Sequence, residues 1–316
     1  MENTIEVAGL VKKYPSQKDK NAINHLTLSV PRGQLFGLIG PDGAGKTTTL
    51  RILSTVMPLT SGSVTVLGYD LPKQAEDVRP KIGYMPQNFS LYPDLSVIEN
   101  LNFFADLNQV KGADRQKRIE EMLRFTRLDR FQRRKAANLS GGMKKKLALA
   151  CALVHSPQVL LLDEPSTGVD PVSRRELWVM LAEVVAGGVT VLVSTPYMDE
   201  ADRCNQVGII YQGDLLSLGT PEDLQNALPY TIIEVKARPR KVMRKVVAAM
   251  DGVQDWRPVG DRLRLSVLHS NGKIEKTIRT LEKELKDQRA QVQILRTARK
   301  TMEDVFTYAV QQGREG

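Results

Sequence analysis

Two hydrophobic patterns divide the chain. Up to about residue 220, short apolar runs (LFGLIG, VLLLDEP, VTVLVST, QVGIIYQG) alternate with longer stretches of helical spacing. That is the pattern of a mostly parallel sheet with helices on both faces, its strands buried on both sides. TIEVAGLVKKY, HLTLSVPRG and SGSVTVLGYD are instead closely spaced and turn-linked, which predicts an antiparallel sheet beside the parallel one. From about Leu95 to His155 the spacing is almost wholly helical, so a helical insert of about residues 88–157 separates core strands. After the turn-rich GTPEDLQNALP a second pattern begins. TIIEVKA, VQDWRPV, RLRLSVL and QVQILRT read as strands, PRKVMRKVVAAM and GKIEKTIRTLEKELKD as helices. That order, βαββαβ, is the ferredoxin-like split βαβ unit, and a last helix, TMEDVFTYAVQQ, closes the chain. The expected architecture is an α/β domain over residues 1–225 and a smaller α+β domain over 226–316.

A chain of 316 residues, 41% hydrophobic and 26% charged, has an ordinary globular composition. It contains no run of about 18 uncharged apolar residues, and MENTIEVAGL lacks the basic region and apolar core of a signal peptide. A soluble protein not exported by that route is expected. Cys151 and Cys204 sit in contexts of helix-face type, as small buried hydrophobes in a reducing compartment. The net charge of +9 is uneven: residues 221 to 316 hold 19 Lys and Arg against 13 Asp and Glu. This excess suits a solvated surface first, and acidic headgroups or nucleic acid second.

LFGLIGPDGAGKTTTLRIL joins a buried strand, a glycine-rich turn and a helix. Gly40, Gly45, Lys46 and Thr47 fill the G-x-x-x-x-G-K-[ST] template, with Gly43 as an extra glycine. Backbone N–H groups of such a loop curl around a β-phosphate, Lys46 reaches the β and γ oxygens, and Thr47 can ligate Mg²⁺. The strand QVLLLDEP supplies the acidic partners: Asp163 to hold Mg²⁺ through water, Glu164 to polarise the attacking water. In NLSGGMKKKLALACALV, Ser140 is a good N-cap, yet Gly141 and Gly142 each weaken the first turn by about 1 kcal/mol relative to Ala. Lys144, Lys145 and Lys146 crowd the positive end of the helix dipole. A helix start built this way makes sense where an anion docks on it.

With these motifs in order, residues 1 to 225 resemble the nucleotide-binding subunit of an ABC transporter. The resemblance rests on the Walker A loop GPDGAGKT, the Q-loop Gln87 in GYMPQN, the signature LSGGM, Walker B LLLDE and the D-loop STGVD. It implies a P-loop ABC ATPase domain, with a RecA-like core, an antiparallel β subdomain and a helical subdomain, binding ATP and Mg²⁺. Tyr14 takes the place of the adenine-stacking aromatic. Gly40, Pro41, Asp42, Gly43, Ala44, Gly45, Lys46, Thr47 and Thr48 take the phosphates, and Thr47, Gln87 and Asp163 the metal. Glu164 and Gln87 are the implied catalytic residues. Ser140, Gly141, Gly142 and Asp170 are implied to meet the ATP of a second ATP-binding subunit or domain, in a head-to-tail homodimer or heterodimer.

Met143 in the signature and the TMEDVF ending resemble the drug-export branch with ABC-2-type permeases, the daunorubicin-resistance-like group. PDGAGKTT with SGGMKKKLALACALV is similar to the first ATPase half of its tandem members. The implied role is export of hydrophobic drugs or lipid-like molecules through a separate ABC-2-type transmembrane permease. Gln87 and LYPDLSVIENLNFFADL would make the permease contact, from a cytoplasmic position peripheral on the inner face of the membrane. The C-terminal domain is expected to be regulatory or to serve dimerisation.

In this family the strand after Walker B ends in a switch histidine, in a context such as S-T-H-Y-M-D-E-A. Here VSTPYMDEA puts Pro196 in its place, and none of His25, His155 and His269 is near enough in sequence to substitute. ATP and Mg²⁺ binding is expected to persist while hydrolysis at this site is slow. The alternative is a catalytically weak regulatory subunit paired with an active ATPase. A nucleic-acid or ribosome-associated ABC ATPase is a third reading, but that class carries two cassettes or a long coiled-coil arm, so nucleic acid is not expected as a partner. Locally, Thr195 is a candidate N-cap and Pro196 suits the first helical position, with Asp199 and Glu200 in the opening turn.

Overall fold

A computed structural model of the chain describes residues 2–15, 20–88, 91–268 and 274–315. In chain order the elements begin with β1 (Asn3–Lys13), β2 (Asn21–Pro31), β3 (Leu35–Ile39), α1 (Lys46–Leu53), β4 (Ser61–Val66), β5 (Tyr69–Leu71), α2 (Ala75–Val78) and β6 (Ile82–Met85). The helical insert follows as α3 (Val97–Leu107), α4 (Gly112–Thr126) and α5 (Gly141–Leu153). Then come β7 (Val159–Asp163), α6 (Pro171–Ala186), β8 (Thr190–Thr195), β9 (Gln206–Tyr211), β10 (Asp214–Gly219) and α7 (Pro221–Asn226). The last stretch is β11 (Tyr230–Arg238), α8 (Arg240–Ala248), β12 (Val253–Val259), β13 (Arg262–Leu268), α9 (Ile274–Asp287), β14 (Gln291–Ala298) and α10 (Met302–Glu315).

Chain contacts form two compact units, Met1–Pro221 with Gln312–Gly316, and Glu222–Gln311. In the first unit, a four-stranded antiparallel sheet of order β2-β1-β4-β5 accompanies a six-stranded sheet of order β10-β9-β3-β8-β7-β6. β9, β3, β8, β7 and β6 are parallel and β10 is antiparallel to β9. β3, β7 and β8 are buried at every position, the burial expected of strands covered on both faces. One apolar core joins the sheets, with Ile5, Val7, Leu26 and Val64 packed in the same cluster as Phe36, Leu38, Leu161 and Leu192.

Three strands, β5, β6 and β10, escape the sequence pattern. SGSVTVLGYD is a hairpin rather than one strand, because Leu67 and Gly68 both take positive φ, 54° and 79°, and turn the chain between β4 and β5. β6 has only four residues, too few to show a period. The start of the segment after β8 also differs from expectation. Thr195 ends the strand, its hydroxyl accepts from the Tyr197 amide at 3.1 Å, and the chain turns into a 3₁₀ helix only at Met198. Pro196 therefore lies in the connection and not at the first helical position.

Within the second unit the sheet order is β12-β13-β11-β14, all neighbours antiparallel. Taken in chain order this is 4-1-3-2 read from the β14 edge, the ferredoxin-like arrangement. α8 and α9 pack against the sheet through Met243, Val246, Val247, Leu281 and Leu285. Among the described residues, no helix is long and apolar enough to cross a membrane.

Candidate nucleotide-binding site

Parallel pairing sets the strand ends level. Ile39 is in register with Thr195, and Asp163 with Ser194, so the turns leaving β3, β7 and β8 emerge side by side. In open α/β sheets this carboxyl edge is where ligands sit. Gly40 must be glycine: a Cβ there would come within 2.1 Å of the Ile210 carbonyl oxygen on β9. Gly45 has φ 108° and precedes α1, whose first residue is Lys46. The loop thus closes tightly onto the helix start. Lys46 is 3% exposed, and its Nζ donates to the carbonyls of Gly40 at 2.8 Å and Pro41 at 2.9 Å.

The acidic strand end meets this loop. Glu164 Oε1 is 3.3 Å from Lys46 Nζ, and Glu164 Oε2 accepts from Gln87 Nε2 at 2.9 Å and from Thr167 Oγ1 at 3.2 Å. Asp163 Oδ1 accepts from Thr47 Oγ1 at 3.1 Å and from Ser194 Oγ at 2.7 Å. Asp163 Oδ2 is buried and has no hydrogen-bond partner. An anionic oxygen left unpaired at that depth fits a cation, since burying an unpaired charge is costly. Thr47, Asp163 and the amide oxygen of Gln87 would hold it. The Tyr14 hydroxyl is hydrogen-bonded to the Thr48 hydroxyl at 3.2 Å, which fixes the ring beside the loop.

A cavity of about 410 Å³ collects these groups, lined by Tyr14, residues 42–48, Gln87 and Glu164. Ser140, Gly141, Gly142 and Asp170 are not in its lining; they form a second cluster. Ser140 caps α5 by accepting from the Met143 amide at 3.3 Å. Asp170 Oδ1 caps α6 by accepting from the amides of Val172 and Ser173, and the Ser173 amide bond is the main reason its carboxyl is held below the usual range. A Cβ on Gly142 would lie 2.2 Å from Ser173 Oγ and 3.6 Å from Asp170 Oδ2, so the two helix starts abut.

Comparison with known proteins agrees with this geometry. Residues 23–167 match the ABC transporter family model. The daunorubicin resistance ATP-binding protein DrrA2 of Streptomyces coeruleorubidus is 36% identical over 96% of this chain and 93% of its own length. The chain belongs to the ABC transporter ATP-binding family.

The probable multidrug ABC transporter ATP-binding protein YbhF of Escherichia coli is 48% identical over 71% of this chain, which spans only 39% of YbhF. Among solved structures, an ATP-binding subunit of an ABC transporter is 31% identical over 71% of this chain and 92% of its own, with TM-score 0.63. A dimeric ATP-binding cassette in a post-hydrolysis state with ADP and Pi is 26% identical over 68% of this chain and 98% of its own, TM-score 0.63. Family membership makes this an ABC ATPase domain that binds ATP, and the relatives include drug-resistance proteins of the branch expected from the signature and the TMEDVF ending.

Several site residues carry no motif of their own. Lys20, Asn21, Ala22 and Gln212 also line the cavity, brought there by the start of β2 and the β9–β10 turn. Ser194 is fully buried; it donates to Asp163 and accepts from the Glu164 amide at 3.0 Å, and a lone serine in VTVLVST was its signal. Lys145 Nζ reaches the Glu164 carbonyl at 3.5 Å; burial pulls its pKa down, against the raising effect of Glu164 and Asp163. Pro196 follows Thr195, whose carbonyl accepts from the Gly40 amide at 3.3 Å. Neither His25 nor His155 lines the cavity, and His269 is outside the described residues.

Proposed function

We propose that this chain is the ATP-binding subunit of an exporter of hydrophobic drugs or lipid-like molecules, working through a separate ABC-2-type permease, with slow hydrolysis at its own site. The carrying observation is the separation of the two clusters. The cavity holds loop, acid and Gln87, while Ser140, Gly141, Gly142 and Asp170 lie outside it and have no nucleotide to meet within one chain. A head-to-tail partner ATP-binding subunit supplies the missing half of each site. Relatives named for drug resistance and multidrug transport support the substrate class.

ATP is the substrate, and bound Mg²⁺ supplies charge neutralisation on its phosphate oxygens. The chain's own residues do the rest. Lys46 and the loop amides fix the phosphates, Glu164 takes a proton from the attacking water, and Gln87 and Thr167 hold the Glu164 carboxylate in place. Pro196 brings neither a proton carrier nor a hydrogen-bond donor to the end of β8.

On the helical insert, Tyr92, Phe103 and Leu107 are 46%, 36% and 65% exposed, and the Tyr92 and Phe103 rings meet edge-on at 4.4 Å. This apolar surface on the helical insert supports the permease contact. The test is steady-state ATPase of the isolated chain against protein concentration. A missing proton-transfer or transition-state group costs about 10²- to 10⁴-fold, so Pro196→His should raise turnover by at least about tenfold. An ordinary transporter rate that Pro196→His leaves unchanged defeats the slow-site reading.

A further inference from the structure

Part of the basic excess of the C-terminal stretch is gathered on one short segment. Residues 221 to 316 hold 19 Lys and Arg against 13 Asp and Glu, and Arg238, Arg240, Lys241, Arg244 and Lys245 follow one another with no acidic residue among them. All five are exposed, and none makes an ion pair among the described residues. They lie at the end of β11 and along α8, whose other face buries Met243, Val246 and Val247.

α9 packs beside α8 on the same sheet and shows what a solvated charged helix of this fold is like. Its four cations, Lys276, Arg279, Lys283 and Lys286, are matched by Glu275, Glu282, Glu284 and Asp287, and Arg279–Glu275 and Lys286–Glu282 pair at i,i+4. α8 has no such matching. Arg240 and Lys241 also occupy its first turn, where positive charge opposes the helix dipole. Cations held apart from any counter-charge, on a side where they cost stability, are complementary to a negative surface outside the chain.

We infer that the outer face of α8, with Arg238, is a docking surface for anionic lipid headgroups. The contact is electrostatic and superficial: α8 carries no aromatic residue and its larger apolar side chains face the sheet. The lack of aromatics also argues against single-stranded nucleic acid, which stacks its bases on aromatic rings. An anionic cytoplasmic leaflet attracts exposed Lys and Arg with a gain of about fivefold in binding per cation. Four or five cations on one helical face give an appreciable affinity, within reach of a headgroup layer at a Debye length of about 10 Å in 0.1 M salt.

The experiment uses the full chain, without nucleotide or permease, and vesicles of phosphatidylcholine alone or with phosphatidylglycerol added to give a negative surface potential. Co-sedimentation should require phosphatidylglycerol and fade as salt rises. Replacing Arg240, Lys241, Arg244 and Lys245 by Gln should weaken binding by about 100-fold or more. Replacing both partners of the α9 pairs Arg279–Glu275 and Lys286–Glu282 by Gln, which leaves the net charge of that face unchanged, should change it by less than about threefold. Should the α8 variant not fold, Arg240→Gln with Lys241→Gln decides the matter, with an expected loss of about 25-fold. The inference is overturned if the wild-type chain ignores phosphatidylglycerol, if the α8 and α9 variants lose binding equally, or if poly(U) binds through α8 while the vesicles do not. Because no nucleotide or permease is present, such a failure leaves the ATPase reading untouched, and a failed Pro196→His test leaves this one untouched.

Discussion

The turn that carries Pro196 is held by a buried carboxylate, and removing it gives a stability loss that can be worked out. Glu200 is fully buried; its Oε1 accepts from Arg174 Nε at 2.6 Å and Trp178 Nε1 at 3.0 Å, and its Oε2 from Thr195 Oγ1. Thr195 in turn accepts the Tyr197 amide, so the carboxylate ties α6 to the two residues flanking Pro196. Breaking a buried ion pair from one side costs about 3–5 kcal/mol. Arg174 is 26% exposed and keeps Asp199 at 2.8 Å, so Glu200→Ala belongs at the lower end. A loss of about 3 kcal/mol corresponds to a fall in Tm of about 6–12 °C for a unit of this size. Glu200→Gln keeps an acceptor for Trp178 and gives up the charge, so about half the loss is expected. Equilibrium urea unfolding and thermal melts of both variants measure this. If Glu200→Ala costs less than about 1 kcal/mol, the carboxylate is not what holds the turn.

Other substitutions probe the two clusters. Gly142→Ala puts a Cβ 2.2 Å from Ser173 Oγ, so it should cost about 1–3 kcal/mol, and Ser173→Gly in the same chain should recover at least half; absence of rescue means the helix starts do not abut. Asp163→Asn removes the charge behind the unpaired Oδ2, so a fluorescent ATP analogue should still bind but gain no affinity from Mg²⁺. Retained metal dependence would place the ion elsewhere. Burial pushes the Cys204 thiol up to about 12 and raises Cys151 as well. Both should resist a thiol reagent at pH 8 in the native chain and react in urea. Their folded pKa values lie above the unfolded value of about 8.5, so their contribution to stability is intact below that pH and declines as pH rises from there toward 12; pH-independent stability across that window contradicts it.

What the sequence reveals and what it hides follow from the range of each interaction. The phosphate loop is legible because its chemistry is local: Gly40, Gly45, Lys46 and Thr47 act through neighbouring backbone, so their spacing is their geometry. β3, β7 and β8 are legible because burial on both faces demands unbroken apolar runs. β6 is silent at four residues, and Pro196 misleads because Thr195 spends its hydroxyl on Tyr197 and Glu200, a pairing set by distant Arg174 and Trp178. Ser194 and Gln212 need the sheet order before they have a role at all, and Lys145, expected beside a docked anion, reaches the Glu164 carbonyl instead.

Charge behaves the same way. A surplus of six cations over ninety-six residues has the composition of an ordinary solvated surface, and composition alone favours that reading. Only when α8 and α9 lie side by side on one sheet does the difference emerge, because α9 answers its own charges at i,i+4 and α8 cannot. The same sheet and the same demand to bury an apolar face produced both helices, so folding does not account for the unmatched one. Its charge is surplus to the fold, and a surplus placed against the helix dipole has its explanation outside the chain.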